Sequence, residues 1–314
     1  MAGAVAGQAP TVPPNQTSPA AHAATEPPRT PDGRPDLQGT WTFANLTPLQ
    51  RPSQFAGREV LTAEEALEYE EFLKERGNRG KEIELAYDAR IWRDRGGMST
   101  RTSLIVDPPD GRMPPMTPDG QERAAAAHGL YTSRRLAAAG PEDRTLGERC
   151  LLGRPAGPPM RPETYNNTVQ VFQTPDYVVL LPEMIHNARI IPLDGRPRVG
   201  VDQYVGESRG HWEGDTLVVE TINFRSDAAA FVIRGASDNL RVIERFSRAD
   251  ADTLAYEFTI DDPATWVRPW TAQFPMTKAA GMWEFACHEG NYGMFNILSA
   301  ARAADKAAEG ASRE

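Results

Sequence analysis

Two histidines lie beside dense polar clusters in the second half of the chain. His186 belongs to residues 183–189 and His288 to residues 287–292, and at both places an apolar segment gives way to polar side chains. Imidazole titrates near neutral pH, so it can accept or donate a proton in a bound complex. Barrels also place ligand contacts in polar clusters at strand ends. We therefore expect His186 and His288 to converge as an acid–base pair.

Three further side chains complete the chemistry expected around the two histidines. Arg189 could neutralise a substrate carboxylate or a developing oxyanion, Tyr165 could protonate a leaving group, and Glu289 adds a carboxylate. This set suits proton abstraction with elimination, isomerisation or hydrolysis. We expect a metal-independent lyase, isomerase or hydrolase that acts on a small organic molecule without a cofactor. The expected substrate contacts are Trp41, Asn166, Asn187, Asn291 and Tyr292.

Three other interpretations of these residues stay open. In the first, Glu183 and Arg189 pair with each other and the histidines bond to backbone carbonyls, so the cluster is structural. In the second, His186, His288 and Glu289 bind a metal, since two His and a carboxylate form a known ligand set. Because neighbours on a strand point to opposite faces, His288 and Glu289 could both bind only from a turn. In the third, the protein is a non-catalytic, lipocalin-like binding protein for an apolar ligand.

A repeated pattern indicates the architecture that must position these groups. Residues 211–220 and 247–257 each contain a polar turn ending in Asp-Thr-Leu, an apolar-rich run, and a Glu three residues after the Leu. Such a repeat is typical of hairpins in a meandering antiparallel sheet. We predict a mainly β protein, an antiparallel up-and-down (lipocalin-like) barrel with peripheral helices. Strands are predicted at residues 39–43, 168–173, 177–185, 189–193, 216–224, 240–247, 253–260, 271–276 and 282–288.

Two irregular segments bear on function. Residues 206–210 match the Gly-x-Ser-x-Gly outline of a nucleophile elbow, but we expect them in a loop that leads into a hairpin turn beginning at His211. A nucleophile elbow needs a strand that runs sharply into a helix, so Ser208 is not a candidate nucleophile. The stretch 148–162 is rich in Pro and Gly, and long ordered loops of this kind often line a functional opening.

The chain is expected to form one domain behind a tail. Residues 1–36 are dominated by Ala, Pro, Thr and Gln without a periodic apolar pattern, so they are predicted to be disordered. Residues 37–310 are predicted to form a single barrel domain with helical insertions at about 62–77, 121–130 and 296–306. The first helix begins with a capping box, in which Thr62 and Glu65 satisfy free backbone N–H groups reciprocally.

Composition limits the partners. The 314 residues carry a formal net charge of −9 with both signs interspersed, which argues against a nucleic-acid partner. No apolar run approaches the roughly 18 residues that a membrane span needs. The two cysteines, Cys150 and Cys287, are either unrelated buried thiols or one disulfide, and a disulfide requires an oxidising compartment. We expect a periplasmic or secreted protein whose signal peptide has been removed; the oligomeric state is not predicted.

Six segments of the second half resemble a family of uncharacterised exported bacterial proteins found in soil and plant-associated organisms. They are IIPLDGRP at 190–197, HWEGDTLVVET at 211–221, ERF at 244–246, DDP at 261–263, PW at 269–270 and CHE at 287–289. The resemblance spans roughly residues 145–300 and implies an extracytoplasmic, mostly β protein, but no activity. The family pattern has Arg where this chain has His211, which argues against catalysis by His211. The setting of the family, with the Trp and Tyr content of the β region, suggests a plant-derived aromatic compound or a glycoside as substrate.

Overall fold

Ten strands dominate the part of the chain that the computed structural model describes, which comprises residues 27–78, 94, 96–134 and 138–311. Nine of these strands form a nearly closed antiparallel barrel. The strands are β1 (Gly39–Thr42), β2 (Ile105–Asp107), β3 (Thr168–Gln173), β4 (Tyr177–Pro182), β5 (Arg189–Pro192), β6 (Glu207–Glu213), β7 (Thr216–Ile222), β8 (Arg241–Arg248), β9 (Thr253–Asp261) and β10 (Trp270–Lys278).

The barrel has the up-and-down topology that the repeats predict. The hydrogen-bonded order is β5-β4-β3-β1-β10-β9-β8-β7-β6, and β2 pairs with β10 beside this path. If β2 is set aside, neighbours around the barrel are neighbours in the chain, except that β1 and β10 join its two ends. Strands β5 and β6 meet at the remaining seam by side-chain packing: a Cβ on Gly210 would lie 2.6 Å from Leu193 Cδ2. The prediction of a mainly β, antiparallel up-and-down barrel is confirmed.

The two repeat copies form the hairpins β6–β7 and β8–β9. Thr216 and Thr253, the threonines of the two Asp-Thr-Leu triplets, begin β7 and β9. The assignment of residues 206–210 to a loop is wrong, because β6 already begins at Glu207 and His211 lies within it. The Ser208 hydroxyl is buried against the Thr221 hydroxyl at 2.8 Å, across the β6–β7 ladder.

The barrel interior is filled with side chains. On β9 the side chains alternate, so that Leu254, Tyr256, Phe258 and Ile260 are all buried, as the sequence pattern predicts. The Pro-rich stretch 148–162 does not line an opening along its whole length. Its residues Leu152 and Met160 join the hydrophobic core, and the Met160 amide donates a hydrogen bond to the Tyr256 hydroxyl at 3.0 Å.

Four helices lie around the barrel in the described ranges: α1 (Ala63–Asn78), α2 (Pro118–Arg134), α3 (Ser226–Val232) and α4 (Tyr292–Ala311). The capping box at α1 is present, since Glu65 accepts from the Thr62 amide at 2.8 Å and the Glu65 amide donates to the Thr62 hydroxyl at 3.1 Å. Helix α3 was not predicted. None of the helices in the described ranges combines the length and apolarity that crossing a membrane requires.

Part of the predicted tail is ordered. Residues 1–26 lie outside the described residues, whereas residues 27–36 form a turn with a bridge between Arg29 and Pro35. The Arg29 guanidinium binds both carboxylate oxygens of Asp215, at 3.0 and 2.6 Å. Asp215 lies in the turn between β6 and β7, so this ion pair joins the N-terminal segment to the barrel.

Candidate functional site

A groove with a volume of ≈1620 Å³ lies on the outer face of the barrel. Its floor follows one row across neighbouring strands: Thr42 of β1 pairs with Thr168 of β3, whose carbonyl accepts from the Glu183 amide just beyond β4. The adjacent Trp41 and Val169 point into the core, so Thr42 and Thr168 face outward. The described residues that line this outer groove are Thr42, Asp94, Tyr165, Asn166, Thr168, Glu183 and residues 278–287.

Glu183 is one of two carboxylates in the floor of the outer groove. It is 6% exposed, and its Oε1 accepts a hydrogen bond from Asn166 Nδ2 at 3.0 Å. Asn166 has φ 56°, a left-handed backbone conformation that Asn tolerates better than most residues. This turn before β3 therefore aims the Asn166 amide at Glu183 and fixes the orientation of the carboxylate.

Asp94 is the second carboxylate, and two contacts place it beside the row. The buried Asn167 side chain donates to the Asp94 carbonyl at 2.8 Å. Gly96 packs so closely on Ala44, just beyond β1, that a Cβ on Gly96 would overlap the Ala44 carbonyl oxygen. Gly96 also has φ +61°, so glycine is required here for two reasons. The Gly96 amide donates a hydrogen bond to the Asp94 carboxylate.

The environment of Asp94 favours its protonated form. Although Asp94 is accessible to solvent, the protein packed around its carboxyl raises its pKa above the ordinary 3.8. The negative charge of Glu183 raises the pKa of Asp94 further, and the Gly96 amide opposes both effects. Two interacting carboxyl groups, one of which holds its proton more tightly than usual, form an arrangement suited to general acid–base chemistry.

Most of the remaining lining of the outer groove comes from the strap, which we define as residues 279–287 after β10. At its start the Ala279 amide donates to the Thr40 carbonyl at 2.9 Å, and at its end Cys287 forms a disulfide with Cys150. The prediction of a strand at 282–288 is wrong. Both edges of β10 are already paired, so the chain that follows has no free strand edge beside it. Trp283 projects from the strap with 81% of its surface exposed.

The structure brings only some of the predicted site residues to the outer groove. Tyr165, which is 47% exposed, and Asn166 line it, as does Cys287. His186 and His288 are both exposed and do not belong to the described lining. The sequence neighbours of both histidines contact the loop at residues 150–151. Asn187, next to His186, donates from Nδ2 to the Leu151 carbonyl at 2.9 Å, and Cys287, next to His288, is bonded to Cys150.

Arg189 lies in the barrel interior. Its guanidinium, 2% exposed, binds both oxygens of Glu244 at 2.7 and 3.0 Å. The Tyr256 hydroxyl donates to the same carboxylate at 2.7 Å, and burial, with the charge of Glu244, raises the pKa of Tyr256 well above 10. The proposed contact of Arg189 with substrate is therefore not supported. The alternative pairing of Arg189 with Glu183 is wrong, because the partner is Glu244.

Trp41 is a core residue and does not reach the outer groove. It is fully buried, its indole Nε1 donates to the Leu37 carbonyl at 3.0 Å, and the Arg248 guanidinium lies 4.6 Å from its ring centre. The strand alternation that turns Thr42 outward turns Trp41 inward. Trp41 therefore contributes to stability at this end of the barrel.

The remaining predicted residues surround the end of the strap. Glu289 and Tyr292 are exposed, and Asn291 Nδ2 lies 3.8 Å from Cys150 Sγ. A smaller cleft of ≈390 Å³ runs between Glu148 and the start of α4. Among the residues that the structure describes, no three His, Cys, Asp or Glu side chains are grouped in a way that could hold a metal ion. The metal-ligand interpretation of His186, His288 and Glu289 therefore gains no support.

Sequence reasoning missed several residues of the site: Asp94, Thr168, Lys278, Trp283 and Glu284. Asp94 carries no local signal, since the contact that positions it comes from a residue 73 positions later. Comparisons of the chain with protein-family models, with curated proteins and with solved structures gave no match. The functional argument therefore rests on the chemistry of the outer groove.

Proposed function

We propose that the protein is an extracytoplasmic acid–base enzyme that acts on a small organic molecule bound in the outer groove. The observation that carries this proposal is that Asp94 and Glu183 both line a cavity large enough for such a molecule. Positioned carboxyl groups can transfer protons during elimination, isomerisation or hydrolysis. The pair Asp94 and Glu183 takes the role that the sequence suggested for His186 and His288.

The environments of the two carboxyl groups suggest different roles. Asp94 holds its proton more tightly than an ordinary aspartate, so it is suited to act as general acid. Glu183 accepts a hydrogen bond from Asn166, which holds its carboxylate in one orientation. A carboxylate held in this way is suited to act as general base. Tyr165 adds an accessible hydroxyl on the same lining and can bind the leaving group.

The carrier alternative has less support. A lipocalin-like carrier needs an apolar cavity inside the barrel, whereas Phe246, Tyr256, Phe258 and Met160 occupy that space. The disulfide between Cys150 and Cys287 supports an oxidising compartment, so a periplasmic or secreted location belongs to the proposal. The resemblance to exported bacterial proteins points to the same compartment.

Turnover by matched variants tests the proposal. We expect the wild-type protein to release 4-nitrophenol from one class within a panel of 4-nitrophenyl esters, ethers and glycosides. Asp94→Asn and Glu183→Gln keep the shape of each side chain, and each should lower turnover about 10²- to 10⁴-fold, which is the usual contribution of general acid–base catalysis.

The histidine alternative is tested in the same assay. His186→Ala and His288→Ala remove the two imidazoles without changing the described lining of the outer groove. Loss of turnover in these two variants, with full activity in Asp94→Asn and Glu183→Gln, would refute the proposal and return the chemistry to the histidines.

A further inference from the structure

We propose that the molecule bound in the outer groove is a glycoside, whose saccharide ring stacks on Trp283 and whose glycosidic oxygen faces Asp94. This inference rests on the proposed function, because it names the substrate class of the same site. Three features of the outer groove lead to it: an exposed indole on the strap, polar groups on the floor, and a net negative charge.

Trp283 supplies the apolar surface. An indole that is 81% exposed in the lining of a cavity is a large apolar face that the described part of the chain leaves mostly uncovered. Trp side chains at binding surfaces pack one flat face on a ligand and leave their polar edge in water. A pyranose ring has a matching flat face of C–H groups, whereas its hydroxyl groups project around its rim.

The floor supplies partners for those hydroxyl groups. Thr42, Thr168 and Asn166 offer hydroxyl and amide groups, and Lys278 offers an ammonium group at the end of β10. Each of these can donate a hydrogen bond, and the Thr and Asn oxygens can also accept one. Asn166 and Lys278 each have one protein partner, Glu183 and Asp252, and both retain further N–H groups for a ligand. A purely aromatic hydrocarbon would use none of this hydrogen-bonding capacity, so the floor favours a ligand with many hydroxyl groups.

The charge of the groove lining narrows the class of ligand further. Three carboxyl groups, Asp94, Glu183 and Glu284, line the described part of the outer groove against one ammonium group, Lys278. Their combined field disfavours an anionic ligand such as a uronic acid or a sugar phosphate. The expected ligand is therefore a neutral glycoside.

Two carboxyl groups beside a bound glycoside are the usual equipment for its hydrolysis. Asp94 donates its proton to the glycosidic oxygen while the bond from that oxygen to the anomeric carbon breaks. A water molecule forms the new bond to the anomeric carbon and gives one proton to Glu183. The products are a free sugar and an alcohol; the proton then returns from Glu183 to Asp94 through solvent, so both carboxyl groups regain their starting states.

The first experiment measures binding separately from turnover. Neutral 4-nitrophenyl hexosides of both anomeric configurations, and a 4-nitrophenyl glucuronide, are titrated into full-length Asp94→Asn protein by calorimetry. A neutral hexoside should bind, and adding Trp283→Ala should weaken its binding about fivefold, since stacking on an aromatic ring contributes roughly 1 kcal/mol. Trp283→Phe should recover part of this loss. Phe172→Ala, which removes an exposed aromatic ring on β3 outside the described lining, should leave binding unchanged.

The second experiment measures hydrolysis of the hexoside that binds. Absence of hexoside binding, binding that Trp283→Ala does not weaken, or tighter binding of the glucuronide would refute the glycoside assignment, even if Asp94 and Glu183 were needed for turnover of an ester. Trp283-dependent binding with no hydrolysis by the wild-type protein would refute the hydrolytic step. Hydrolysis that proceeds equally well in Asp94→Asn and Glu183→Gln would instead refute the proposed function.

Discussion

The barrel interior and the outer groove both contain carboxylates with polar partners. Among the described residues the interior carboxylate has more of these partners, and only the outer groove contains a carboxyl group, Asp94, that is exposed to solvent. In the interior, Glu244 receives two hydrogen bonds from Arg189 and one from Tyr256, and the cluster is sealed by core side chains. In the outer groove, Glu183 accepts from Asn166, and Asp94 remains open to water. A buried, fully bonded cluster stabilises the fold, whereas carboxyl groups that line a cavity and have fewer partners among the described residues are available to a ligand.

The largest expected effect is on stability, from the interior cluster. Arg189→Met leaves Glu244 buried without its cation, and breaking a buried pair in this way costs about 3–5 kcal/mol. Chemical denaturation should therefore show a lower free energy of unfolding by that amount. Arg268→Met removes an exposed partner of Asp107 and should cost less than about 1 kcal/mol. A loss at Arg189 as small as that at Arg268 would mean that the interior is not sealed.

The disulfide should have the next largest effect, and it joins the two regions. Replacing Cys150 and Cys287 together by Ser releases a cross-link between residues 137 positions apart and should lower the free energy of unfolding by about 2–4 kcal/mol. Because Cys287 ends the strap, the same variant should also bind a neutral 4-nitrophenyl hexoside in the outer groove more weakly. Calorimetric binding as tight as that of the wild type would show that the strap holds its position without the cross-link.

Glu207 is a buried carboxylate whose pKa is shifted in the opposite direction from that of Asp94. Burial raises its pKa, but hydrogen bonds from the Val199 and Gly200 amides and from Asn223, with the charge of Arg209, outweigh burial and lower the pKa to about 2. Glu207→Gln should therefore cost about 1–3 kcal/mol at neutral pH. Since the pKa is lowered in the folded state, this advantage of the wild type is present above the ordinary value of 4.5 and is lost as pH falls toward 2.

Denaturation of both proteins across this pH range gives the test. A stability difference between wild type and Glu207→Gln that stays constant from neutral pH to about pH 2 would contradict the assignment of the lowered pKa to these hydrogen bonds.

The smallest effect on stability is expected from replacing Asp94. Unlike the preceding replacements, which lower the stability, this one should leave it unchanged or raise it. The folded-state pKa of Asp94 is raised, so its favourable contribution is present below the ordinary 3.8 and is lost as pH rises through the folded-state value. At neutral pH, Asp94→Asn should melt at the same temperature as the wild type or a few degrees higher, since functional sites are often improved in stability when their charges are removed. A clearly lower melting temperature would indicate a structural role for Asp94.

Much of the fold follows from local sequence patterns. The Asp-Thr-Leu repeats mark the starts of β7 and β9, and alternation along β9 identifies the inward face. The position of β6 was missed because Gly206 and Gly210 read as loop residues. In the barrel, Gly210 lies within the strand at the seam, where its missing side chain makes room for Leu193.

The candidate site was harder to predict because its parts are distant in the chain. Tyr165, a predicted proton donor, and Asn166, a predicted substrate contact, both line the outer groove. The polar cluster 183–189 predicts a catalytic Arg189, but strand alternation puts Arg189 on the inward face with Ile191. Asp94 reaches the site only through tertiary contacts with Asn167 and Ala44, which no local pattern indicates.

The pH dependence of turnover tests most directly whether the chemistry belongs to the outer groove. As general acid, Asp94 must hold its proton, so the rate of 4-nitrophenol release should fall as pH rises through the folded-state pKa of Asp94. In Asp94→Asn the rate should be lowered about 10²-fold or more, and the rate that remains should no longer fall as pH rises through this range. An unchanged rate and an unchanged decline in Asp94→Asn would contradict the account.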